Sequence, residues 1–131
     1  IEEVTGITPK YFRPPRGMYN KTALETAADN NLTMVLWSVS SQDWASEGWK
    51  DIVRNVTKRV KPGAVILFHD SGDFITAQGG GRDNTIKALP MIIDDLQKKG
   101  YTFVSLPQML ALSGLIGEED FGEYPGEILH E

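Results

Sequence analysis

Two periods of apolar residues run along this chain. Four short apolar runs read as strands: Tyr11-Phe12-Arg13, Leu32 to Val39, Ala64 to Phe68, and Tyr101 to Ser105. They are rich in β-branched and aromatic types, and the run at 64–68 is long enough for a strand buried on both faces but short for a helix. Between them, apolar residues recur at helical spacing. Ala23, Leu24, Ala27 and Ala28 follow Asn20, a good cap, and Asn30-Asn31 ends that helix. Trp49, Ile52, Val53, Val56 and Val60 make one face of a second helix, with Lys50, Arg54, Lys58 and Arg59 on the other. Lys61-Pro62-Gly63 stops it. A third helix, capped by Asn84 or Thr85, carries Ile86, Leu89, Ile93 and Leu96 and ends at Lys98-Lys99-Gly100. Pro90 inside it removes a backbone donor and predicts a kink. Ser105-Leu106-Pro107-Gln108 has the capping-box pattern and opens a short helix that runs to about Leu112.

The order β-α-β-α-β-α-β-α implies an α/β fold of parallel strands joined by right-handed crossovers. Four strands are too few to close a barrel, which takes about eight. The chain is therefore either a small open sheet or part of a larger barrel. Its 131 residues suffice for one domain with a real core. Absence of cysteine rules out disulfides and thiolate metal sites. Net charge is −5, but residues 117–131 hold Glu118, Glu119, Asp120, Glu123, Glu127 and Glu131 with no Lys or Arg. The acidity thus belongs to a tail, and no basic stripe suggests nucleic acid. No run approaches the roughly 20 apolar residues of a membrane span, and the first residues do not read as a secretion signal.

Chemistry collects where strands end, as parallel α/β folds place it. The runs at 11–13, 32–39 and 64–68 lead into Arg13, Asp43 and His69. A carboxylate beside a histidine fixes its tautomer and favours the protonated form, so Asp43 and His69 suit a general acid. Trp44 offers an apolar wall, and Arg13 a two-point clamp for a carboxylate. A nucleophile is missing. Ser40, Ser41 and Ser71 lie outside any Gly-x-Ser-x-Gly elbow, and no His-x-x-x-His or Cys-x-x-Cys pair offers a metal site. Gly79-Gly80-Gly81 lacks the Lys-Ser/Thr of a phosphate loop. Trp49 reads as core, His130 as a tail residue, and Asp70 only as a loop cap. By itself the set resembles half of an active site.

Three segments, in order and each at a predicted strand end, resemble motifs of the polysaccharide deacetylases. These are the NodB-homology domains of carbohydrate esterase family 4. Phe12-Arg13-Pro14-Pro15-Arg16-Gly17 resembles the third motif. Ser40-Ser41-Gln42-Asp43-Trp44 resembles the fourth, Asp-x-x-Asp-Trp, with Ser40 at its first Asp. Leu67-Phe68-His69 matches the fifth, Leu-x-His, and Arg82-Asp83-Asn84-Thr85 is similar to a further common segment. The family's first motif, an Asp pair, and its second, His-x-x-x-His, do not occur here. The resemblance implies that residues 1–112 are the C-terminal portion of the domain, with 113–131 an acidic tail packed on it or trailing from it. It implies the C-terminal part of an irregular (β/α) barrel of about seven strands, of which roughly four lie in this chain.

The resemblance also assigns roles. Arg13 pairs with the base Asp of the missing N-terminal half. The backbone N–H of Arg16, stiffened by Pro14 and Pro15, helps bind the oxyanion. Arg16 stands where members often carry Tyr, and its side chain is equally well read as a solvated rim charge. Asp43 orients His69, Trp44 and Leu67 line the pocket for the acetyl methyl, and His69 protonates the leaving amine. The implied cofactor is a divalent metal, zinc, with no ligand in this chain. The implied substrate is an acetylated polysaccharide, bacterial peptidoglycan or a chitin-like glycan, at an extracellular or cell-surface location. Two other readings use the same residues: a non-catalytic glycan-binding relative, and a serine hydrolase built on Ser40 or Ser71 with Asp43 and His69.

Overall fold

The computed structural model describes residues 1–71 and 82–115. The acidic tail beyond Leu115, His130 and the glycine run at 79–81 lie outside the described residues. The elements follow in the order α1 (Glu2–Thr5), β1 (Tyr11–Phe12), a 3₁₀ turn (Pro15–Gly17), α2 (Lys21–Asp29), β2 (Thr33–Met34), β3 (Val39–Ser40), α3 (Trp49–Thr57), β4 (Ile66–Leu67), α4 (Asp83–Lys98) and α5 (Leu106–Leu112).

The parallel α/β order holds, with shorter ladders than the apolar runs suggest. β1 pairs with β2 (Tyr11 opposite Thr33), and β3 pairs with β4 (Val39 opposite Ile66), both parallel. The run 32–39, expected as one strand, is two. Its first part bonds β1, ending with Val35 N–H on the Phe12 carbonyl at 2.9 Å. Its second part turns to the other neighbour, with Ser38 and Val39 both donating to the Val65 carbonyl. One segment thus serves two neighbours in succession, and the chain crosses from one to the other at residues 36–37. The expected strand at 101–105 makes no ladder among the described residues. A strand needs a neighbour's backbone groups, and Thr102 to Ser105 are exposed instead. The run 64–68 is half-buried rather than enclosed on both faces.

The core lies between α3 and α4. Ile52 and Val56 of α3 meet Ala88, Ile92 and Leu96 of α4, all essentially fully buried, with Ile66 and Phe68 packed against them. The stripe expected on α3 is therefore correct, with Trp49 at its partly buried edge. On α4 the stripe is rotated. Thr85, Ala88, Ile92 and Leu96 face inward, while Ile86 and Ile93 stay exposed. Small Ala88 lets the two helices approach, which turns the bulkier Ile86 outward. Arg82 is the N-cap of α4, with no side-chain capping hydrogen bond to the helix, so neither Asn84 nor Thr85 caps it. The helix continues through Pro90 to Lys98 as a single element. The caps read for α2 and α5 are both present: Asn20 Oδ1 accepts from Ala23 N at 2.9 Å, and Ser105 and Gln108 form the capping box. α1 had no counterpart in the pattern; it is one turn closed by Gly6 in the left-handed region.

Truncation of the α3–α4 core should be costly. Ile52→Ala is expected to lower unfolding stability by about 2–5 kcal/mol. Ile86→Ala, on the exposed side of α4, should change it by less than about 0.5 kcal/mol. Urea denaturation midpoints of the two variants test the placement of the core.

Candidate active site

Asp43 reaches the end of β4 because the chain reverses after β3. Ser41 is fully buried, and its carbonyl accepts from Asn55 Nδ2 of α3 at 3.1 Å. Gln42 takes φ 55°, in the left-handed region, and Asp43 N–H donates back to Ser41 Oγ at 3.3 Å. This tight reversal carries the Asp43 side chain inward, where it has no exposed surface.

Three donors meet that carboxylate. His69 Nδ1 lies 2.7 Å from Oδ1, His69 N–H donates to Oδ2 at 2.9 Å, and the Thr85 hydroxyl donates to Oδ2 at 3.0 Å. Burial, the largest influence, pushes the Asp43 pKa up. The hydrogen bonds from the His69 ring, the His69 backbone and Thr85, with the attraction of the imidazole's charge, outweigh it and leave the pKa below the usual carboxylate value. An ionised carboxylate only accepts, so Nδ1 of His69 carries a proton. Nε2, across the ring, has no hydrogen-bond partner among the described residues. The His69 side chain is 39% exposed, so the ring is accessible. Among the described residues no serine hydroxyl hydrogen-bonds the imidazole, which leaves the serine-hydrolase reading without its nucleophile contact.

A second group follows β1. Arg13 donates through Nε to the Val35 carbonyl and through Nη2 to the Leu36 carbonyl, each at 3.3 Å, and lies over the Trp37 ring at 5.9 Å. Pro14 is buried and extended. Pro15–Gly17 form a 3₁₀ turn in which Arg16 has φ 57° and Gly17 φ 68°. Gly17 and Met18 donate to the Pro14 and Pro15 carbonyls at 3.0 and 3.2 Å. The Arg16 N–H alone in this turn has no acceptor among the described residues. A Cβ on Gly17 would sit 2.6 Å from Trp37 Cη2, so Trp37 packs flush beneath the turn.

The sequence-nominated residues therefore fall into two sets. Asp43 and His69 are in direct contact. Arg13, Pro14, Pro15 and Arg16 form the turn around Trp37, and Arg13 makes no hydrogen bond or ion pair to Asp43 or His69. Leu67 is half-buried in β4, and Trp44 is 58% exposed. Thr85, Asn55 and Trp37 have no site role in the sequence reading, and Ser41 enters it only as a candidate nucleophile, whereas here its hydroxyl accepts from Asp43 N–H within the turn. Thr85 carried the best signal: it closes the segment Arg82-Asp83-Asn84-Thr85, and a hydroxyl in an apolar helical stripe needs a partner. No group of three or more His, Asp or Glu suited to a metal ion occurs among the described residues. These residues do not fit a resident metal by themselves.

No family model matches the chain. It is 38% identical over 104 residues to a peptidoglycan-N-acetylglucosamine deacetylase of Bacillus cereus, covering 78% of this chain and 46% of that protein. It is 35% identical over 105 residues to a chitooligosaccharide deacetylase of a Bradyrhizobium species, covering 77% and 48%. Among solved structures it resembles a family 4 carbohydrate esterase from Streptomyces lividans, with 38% identity, a TM-score of 0.62, and 81% and 50% of the two chains covered. Over about 80% of its length the chain is thus similar to polysaccharide deacetylases of carbohydrate esterase family 4. It spans about half the length of the curated relatives it matches. Family 4 members have a (β/α)-barrel fold, and the parallel α/β elements described above agree with it. A mutant of a family 4 pseudoenzyme, with restored activity, is also similar, at 25% identity and a TM-score of 0.70 over 83% of this chain and 36% of that one.

Because the folded-state pKa of Asp43 is depressed, its ionised form adds stability above the unfolded carboxylate value, about 3.9. That contribution is lost as pH falls through the lower folded value. The stability gap between the native chain and Asp43→Asn should therefore be full at pH 6 and shrink below about pH 4. Urea midpoints across that range check this; a gap independent of pH would contradict the depressed pKa.

Proposed function

We propose that this chain supplies the general-acid side of a polysaccharide deacetylase site, with residues 1–112 the C-terminal portion of the catalytic domain. The observation that carries this reading is the buried Asp43 carboxylate bonded to Nδ1 of a partly exposed His69. The ring is thereby fixed, and Nε2 delivers a proton to the leaving amine as the C–N bond breaks. The acyl carbon keeps the oxygen of the attacking water, and acetate is released. The Arg16 N–H, held without an internal acceptor by the proline turn, takes the developing oxyanion, a role worth about 3–4 kcal/mol per donor.

Arg13 spends Nε and Nη2 on backbone carbonyls. Its Nη1 is left to meet the carboxylate base of the N-terminal half, the chain's partner in this reading. Trp44 and Leu67 line the side that receives the acetyl methyl. The divalent metal on which the family depends, zinc in this reading, takes its ligands from that half, and no step assigned here to the described residues passes through it. Peptidoglycan or a chitin-like glycan is the substrate, as the names of the relatives support. A bacterial cell-wall substrate places the enzyme at the cell surface or outside the cell.

The test is acetate release by this chain joined to the half-domain of the B. cereus relative that it does not cover. His69→Ala is expected to lower turnover by about 10²–10⁴-fold with zinc affinity unchanged. Arg13→Ala should slow turnover by a smaller factor, again at unchanged zinc affinity. Zinc loss on removing His69 would overturn its role as acid. The likeness to the pseudoenzyme favours a second reading, a non-catalytic glycan-binding relative. Retained binding of chitin oligomers with no acetate from the joined protein would establish it in place of the first.

A further inference from the structure

We propose that Thr85 is a positioning residue for the Asp43–His69 pair: its hydroxyl, delivered by the first turn of α4, sets the angle at which Asp43 holds the imidazole. The proposal rests on the general-acid reading for its catalytic consequence and on geometry for the rest.

A carboxylate beside a histidine keeps one soft torsion about its own carboxyl group. Two of the three donors to Asp43, Nδ1 and the backbone N–H, come from His69 itself. By themselves they let the two residues rock as a unit. The third donor comes from another element. Thr85 Oγ1 reaches Oδ2 at 3.0 Å from a residue only 4% exposed. Its β-branched side chain is stiff, and it lies in the same buried stripe as Ala88 and Ile92, packed on α3. The position of the hydroxyl is thus set by the core and not by the site.

Valine would fill the same space without the cost of burying a hydroxyl, so the oxygen has a task that packing does not explain. A second contact comes from the same end of α4. Arg82, its N-cap, donates through Nε to the Ser71 carbonyl at 2.7 Å, two residues past His69. One end of α4 therefore grips Asp43 and the backbone that leaves His69.

The sequence has two histidines, His69 and His130, so nitrogen-15 correlation spectra of the full chain resolve the His69 ring. The native chain should show His69 protonated at Nδ1 with a slowly exchanging Nδ1–H. Thr85→Val should speed that exchange by about tenfold, the scale of one hydrogen bond to a charged group, and Thr85→Ser should restore it. Thr85→Ala, which leaves no misplaced methyl, is read in the same way if valine disturbs the fold. In the joined enzyme the valine variant should lower kcat by about tenfold at constant KM, with serine close to native. A native His69 spectrum in both Thr85→Val and Thr85→Ala overturns the proposal. A spectrum that moves as expected, in a joined protein whose native form releases no acetate, supports the positioning role and overturns the catalytic reading instead.

Discussion

A carboxylate with no exposed surface persists in a protein only if its oxygens are satisfied, because an unpaired buried charge is more costly than almost any single contact can offset. Asp43 meets that condition through donors on two other elements: His69 at the end of β4 and Thr85 in α4. The requirement ties together segments far apart in the chain. The β3–β4 pairing, the left-handed turn at Gln42 and the seating of α4 on α3 must all be in place for the bonds to form together. The site is in this sense a readout of the core beside it.

The turn after β1 solves a different problem. It presents a backbone N–H to its surroundings without letting it collapse onto a nearby carbonyl. Pro14 and Pro15 have no N–H to donate, Gly17 and Met18 give theirs to the turn, and Trp37 packs beneath. The donor left over is that of Arg16. Arg13 braces the other side through the carbonyls of residues 35 and 36, the stretch between the two ladders where those carbonyls are not consumed by a strand partner. The break in the long apolar run is thus what makes the arginine's seat available.

Much of this is legible in the sequence. Alternation and cap residues located α2, α3 and α5, and the polar residues after each apolar run singled out Arg13, Asp43 and His69. Other features were hidden for physical reasons. An apolar run states that backbone will be buried or extended, but not which neighbour bonds it, so the split of 32–39 and the absence of a ladder at 101–105 among the described residues were invisible. The stripe on α4 depends on which face suits α3; the period placed Leu96 in the core but put Ile86 and Ile93, which are exposed, where Ala88 and Ile92 pack. Thr85 looked like a cap because a hydroxyl at a helix start is usually that.

The sequence by itself determined the parallel α/β order, the likeness to the family 4 deacetylases, and the candidate residue types at the strand ends, because those follow from local propensity and from motifs whose members lie close along the chain. Only the tertiary structure decided which groups meet. The contact of Asp43 with His69 crosses 26 residues and that with Thr85 crosses 42. Separations of that kind are set by the β3–β4 pairing and by how α4 packs on α3, and no short-range pattern encodes either.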